Sequence, residues 1–93
     1  MTPRYLLPAH VFQRGFAEER VLLDMQSGDY FALNASGAWM LDALLEGDSL
    51  ERVAERTSEQ FEVELKQAES DLLALIEDMS ARGLLISISV QSK

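Results

Sequence analysis

The chain has 93 residues, 47% hydrophobic and 26% charged, with five glycines and two prolines, a composition that specifies one small globular unit, so residues 1–93 are read as a single domain. Eight Lys and Arg against sixteen Asp and Glu leave a formal charge of −8, which repels phosphate backbones and anionic headgroups, so neither nucleic acid nor membrane is an expected partner. Cysteine is absent and histidine occurs once, which removes disulfides, thiol nucleophiles and soft metal sites; a chain this short also buries only about 60% of its unfolded surface, which leaves little room for an enclosed catalytic pocket.

Met1 to Pro8 contains Arg4 and two prolines but no apolar signal core, and no run approaches the ~18 apolar residues of a membrane span, so a cytoplasmic protein is expected. Three strands follow: Ala9–Gln13, Arg20–Asp24 and Asp29–Leu33, each rich in β-branched, aromatic or aliphatic residues. Arg14–Glu19 is polar and contains Gly15, which makes it the first turn. Met25–Gly28 ends in a glycine that can supply positive φ, which makes it a hairpin loop. A three-stranded antiparallel meander results.

Beyond Leu33 the apolar period changes from 2 to 3.6. Asn34 is a favoured N-cap, and Ala35, Ala38, Trp39, Leu41, Leu44 and Leu45 line one side of a helix that stops at Gly47. Asp48 or Ser49 caps a second helix, with Glu51 completing a capping box on Asp48, and this helix ends near Gln60. Phe61 and Val63 then plug the core from the connection. Leu65, Ala68, Leu72, Leu75, Ile76 and Met79 mark a third helix closed by Gly83. The alternation in Leu84–Val90 predicts a short C-terminal strand with one face buried. The expected fold is α+β in the order β-β-β-α-α-α-β, a winged helix-turn-helix.

That fold often reads DNA, which makes a winged-helix transcriptional regulator one candidate. Between Glu46 and Asp71, however, nine acids face three bases, whereas a DNA reader carries a basic stripe there. The carboxylates alternate with Arg52 and Arg56 as a solvated helix face does, so they predict neither a metal site nor acid/base catalysis. His10 has no partner at a suggestive spacing, and no serine sits in a Gly-x-Ser-x-Gly elbow. No enzymatic activity and no cofactor are expected.

Tyr30 and Phe31 are consecutive on a strand and point to opposite faces, so only one can enter a one-sided core. A strand of this kind suits an open edge, which can accept an extended peptide through its unpaired backbone groups. Trp39 is expected in the core. The third helix is apolar over an arc wide enough either to be sandwiched or to line a groove.

Val21-Leu22-Leu23-Asp24, Ser27-Gly28-Asp29-Tyr30-Phe31-Ala32-Leu33-Asn34, Gly37, Gly47, Asp71-Leu72 and Arg82-Gly83-Leu84-Leu85 together resemble the PqqD-like family, over about Val11 to Ile86. Its members are precursor-peptide recognition elements for ribosomally made, modified peptides. The hairpin most resembles that of the free-standing B1 proteins of lasso-peptide pathways; a PqqD-type chaperone serving a radical enzyme is the alternative. The resemblance implies that the leader of a precursor peptide adds as an antiparallel strand along Asp29, Tyr30, Phe31, Ala32 and Leu33, with Leu72, Leu75, Ile76 and Met79 lining the groove. It also implies delivery to a separate leader peptidase and a macrolactam synthetase. The tail from Ser87 to Lys93 runs beyond the family's usual end.

Overall fold

The computed structural model describes residues 2–15 and 19–90. In chain order the elements are β1 (Thr2–Leu6), β2 (Val11–Gly15), β3 (Arg20–Asp24), β4 (Tyr30–Leu33), α1 (Ala35–Glu46), α2 (Leu50–Phe61), α3 (Leu65–Ala81) and β5 (Ile86–Val90). β2, β3 and β4 form an antiparallel sheet in that order, and β1 pairs with β5 in a separate antiparallel ribbon. The α+β class, the three-stranded sheet, the three helices and the C-terminal strand match the sequence reading.

The β3–β4 hairpin is set by its turn. Asp24 accepts from the backbone N–H groups of Gln26 (2.8 Å) and Ser27 (3.3 Å), while Gly28 donates to the Asp24 carbonyl at φ 81°. A left-handed residue at that position is why glycine stands there. The first strand begins two residues later than expected: the Val11 N–H closes a turn onto the Pro8 carbonyl at 3.0 Å, which leaves Ala9 and His10 in the turn. Arg14 and Gly15 belong to β2, Glu19 forms a bend just before β3, and the rest of the expected first turn, residues 16–18, lies outside the described residues.

The helix boundaries follow local chemistry. Asn34 Oδ1 accepts from the Gly37 N–H at 2.9 Å, and Gly47 ends α1 at φ 102° with its N–H on the Ala43 and Leu44 carbonyls. Replacing Asn34 by alanine is expected to cost about 1 kcal/mol in a denaturant titration, because an N-terminal donor loses its acceptor; an unchanged midpoint would contradict the capping role. Ser49 caps α2 through the Arg52 N–H. The expected capping box on Asp48 does not form, because the Asp48 carboxylate is taken by Arg56.

α2 continues through Phe61, and Glu62 turns the chain at φ 53°. Phe61 meets the Trp39 ring edge-on at a centroid distance of 6.0 Å, whereas Val63 is 37% exposed and plugs nothing. Trp39 sits at the rim of the core, half-buried, with the Arg56 guanidinium 5.5 Å above its ring. The core is built from Leu22 of β3, Leu41 and Leu44 of α1, Val53 of α2, and Leu72 and Met79 of α3, all buried. Arg20 of β3 clamps α1 through a two-pronged ion pair with Asp42 (Nη2–Oδ2 3.0 Å).

β1 was not expected from the sequence. It runs from Thr2↔Val90 to Leu6↔Ile86 against β5, packs on α1 and buries Tyr5. The C-terminal alternation therefore marks a true strand, but not one with its isoleucines inside: Ile86 and Ile88 are exposed, and the tail is anchored by buried Leu84 and Leu85 just before it.

Candidate functional site

Among the described residues β4 has one neighbour, β3, and its other edge is open. The Asp24 backbone N–H donates to the Asp29 carbonyl at 2.8 Å, and the register places Leu22 opposite Phe31 and Arg20 opposite Leu33. Bonded pairs alternate along an antiparallel ladder, so Phe31 and Leu33 spend their backbone groups on β3 while those of Tyr30 and Ala32 point outward. The edge thus offers two donors and two acceptors spaced for a further strand.

Beside that edge runs an open groove of about 660 Å³ between β4, the start of α1 and α3. Phe31, Ala32 and Leu33 form one wall, and Asp71, Ala74, Leu75 and Asp78 of α3 form the other. The α3 residues recur at intervals of three, one and three, which puts them on one stripe of the helix. At one end Arg82 lies 5.0 Å over the Phe31 ring while its Nε donates to Asp78 at 3.0 Å.

Of the residues expected at the site, Phe31, Ala32, Leu33 and Leu75 meet at this groove. Tyr30 is 71% exposed on the opposite face of β4, and Asp29 immediately precedes the strand. Leu72 and Met79 are core residues, buried to 2% and 0% exposure, and Ile76 packs against the core rather than lining the groove. Asp71, Ala74 and Asp78 had not been expected there. The signal that marks them is a small residue, Ala74, between two aspartates on the stripe adjoining the core stripe of α3.

The loop leading into β4 is electrostatically set. The Gln26 N–H, working against partial desolvation and assisted by Ser27 and by His10 at 3.9 Å, holds the Asp24 carboxyl below its ordinary value. A depressed carboxyl contributes stability above its unfolded pKa and loses it as pH falls through the lower folded value. Asp24→Ala should therefore lower the thermal midpoint at neutral pH, and the gap from wild type should begin to narrow as the pH falls below about 4. A gap that is constant with pH would contradict this assignment.

Among the described residues no group of three or more His, Asp or Glu is placed to hold a metal ion, and no helix is long and apolar enough to cross a membrane.

The family model for coenzyme PQQ synthesis protein D (PqqD) matches residues 19–85, from the start of the hairpin to the end of the core. The chain belongs to the PqqD family. Two solved structures resemble this PqqD-family fold closely. One is described as lasso peptide synthetase B1 complexed with the leader peptide, at 31% identity and a TM-score of 0.82 over 89% of this chain and 98% of that one. The other is TbiB1 in complex with the TbiA(beta) leader peptide, at 26% identity and a TM-score of 0.77 over 90% and 98%. No curated protein matches the sequence. The family match ends at Leu85, so β5 lies beyond it, and β1, β2 and the start of the chain lie before it.

Proposed function

We propose that this PqqD-family protein binds the leader segment of a ribosomally made precursor peptide and serves a lasso-peptide pathway. The leader lies as an added strand on β4, with its inward side chains against Phe31, Leu33, Ala74 and Leu75. The observation that carries this reading is the coincidence of a free strand edge with a groove along its length. Backbone bonds to Tyr30 and Ala32 supply sequence-blind affinity, and the groove supplies selectivity. The two leader-bound relatives support the same use of the fold.

In this role the domain does no chemistry itself. By holding the leader it raises the effective concentration of the attached core peptide at a separate leader peptidase and a macrolactam synthetase. The name of the matching family favours one rival route, in which the same edge presents a precursor to a radical enzyme of quinone-cofactor synthesis. The test is titration of a fluorescent synthetic leader, copied from a precursor gene beside this one, into the protein. Saturable binding at micromolar or tighter affinity is expected. Absence of binding by every encoded leader would refute the proposal, and the sequence of the leader that does bind separates the two routes.

A further inference from the structure

The groove is not electrically uniform. Its walls from β4 and α1 are Phe31, Ala32, Leu33, Asn34, Ser36, Gly37 and Met40, none of which carries charge. Both formal charges come from α3. Asp78 is matched by Arg82 at 3.0 Å, so that end is close to neutral. The side-chain partner of Asp71 is the uncharged amide of Gln67, whose Nε2 donates at 2.8 Å. The net charge of the groove therefore sits on one carboxylate, at the end away from the Arg82 and Phe31 stack.

The spacing of that carboxylate from the apolar wall also matters. Asp71 and Leu75 are one helical turn apart, about 6 Å along the axis at 1.5 Å per residue. Side chains on one face of an extended strand repeat every two residues, about 6.7 Å. A strand with an apolar side chain on Leu75 thus brings its next residue on the same face to Asp71. That residue leaves water for a half-apolar groove, where an opposite charge gains and a like charge loses.

Resting on the leader-binding reading, we propose that Asp71 is a specificity-determining residue that selects leaders with a lysine or arginine two positions from the apolar residue seated on Leu75. Ala74, between Asp71 and Asp78, keeps this part of the wall low, so a long basic side chain can lie along it with its methylenes on Leu75 and its head on Asp71. The overall charge of −8 acts in the same direction, drawing cationic segments toward the protein.

The experiment uses the encoded leader that binds the wild-type protein, with each of its Lys and Arg residues changed in turn to Gln, against wild type and Asp71→Asn at 50 and 300 mM NaCl. Asp71→Asn keeps the shape and can still accept from Gln67. The variant is expected to bind the native leader about three- to tenfold more weakly at 50 mM NaCl, with a smaller difference at 300 mM. One Lys or Arg change should weaken binding to wild type by a similar factor and leave Asp71→Asn unaffected. Asp71→Lys should in turn prefer the leader with Glu at that same position. Undiminished binding by Asp71→Asn, or a bound leader with no base two places from an apolar residue, would overturn the inference while leaving leader binding intact. No binding of any leader to wild type would overturn both.

Discussion

Replacing Ala32 by proline is expected to weaken leader binding by two orders of magnitude or more while leaving the domain folded. Proline removes one backbone N–H and fixes φ near −65°, which inside a ladder would break a bond to the neighbouring strand. At position 32 the N–H faces away from β3, because the bonded pairs on that side are Leu22 with Phe31 and Arg20 with Leu33. The preceding residue, Phe31, is already extended, as a residue before proline requires. The substitution therefore costs the isolated protein little and costs an added strand a hydrogen bond together with close approach at the centre of the pairing. A calorimetric titration of the leader alongside a thermal melt checks this. Retained affinity with an unchanged melt would show that the peptide does not pair with β4.

The second large effect separates the two stripes of α3. Leu72→Ala should destabilise the protein by about 2–5 kcal/mol, the cost of emptying a buried leucine site in a well-packed core, since Leu72 is 2% exposed and joins Leu22, Leu41 and Met79 there. In a chain of 93 residues such a loss is a large share of the total stability. Ala74→Glu, two residues away, should do the reverse. Ala74 is an exposed groove residue between Asp71 and Asp78, so a third carboxylate there leaves the fold stable but fills and further charges the leader's seat, with binding reduced at least tenfold. Denaturant titrations and leader titrations on both variants decide the matter. If Leu72→Ala left stability unchanged, or Ala74→Glu left binding unchanged, the division of α3 into a core stripe and a groove stripe would be wrong.

That division marks where the sequence stops being legible. The helix ends could be read because their causes are local: Asn34 caps three residues away, Ser49 does the same, and Gly47 takes the left-handed turn that ends α1. The β3–β4 hairpin was equally legible, since Asp24 to Gly28 carry their own hydrogen bonds. For α3 the apolar period marks a helix but not what covers each side of it, and so Leu72 and Met79 looked as available for a groove as Leu75. Only the packing of α1, β3 and α2 around them makes them core. The small Ala74 and its flanking aspartates carry no apolar signal, so the period does not mark them.

β1 was hidden for a different reason. Pro3 argues against a strand when read locally, and the partner that stabilises it, β5, lies more than 75 residues away. Proline is tolerated there because the strand sits at the edge of a two-stranded ribbon. The same pairing accounts for the C-terminal alternation, which in isolation suggested a buried face and in the fold leaves Ile86 and Ile88 exposed.

The most direct test of strand addition is amide hydrogen exchange by NMR on the protein with and without its leader. The amides of Tyr30 and Ala32, which face outward from the ladder, should exchange rapidly in the free protein and become strongly protected on binding; those of Phe31 and Leu33, already bonded to β3, should change far less. Saturable leader binding with Tyr30 and Ala32 still exchanging freely, or with new protection confined to β2 or the β1–β5 ribbon, would contradict the account.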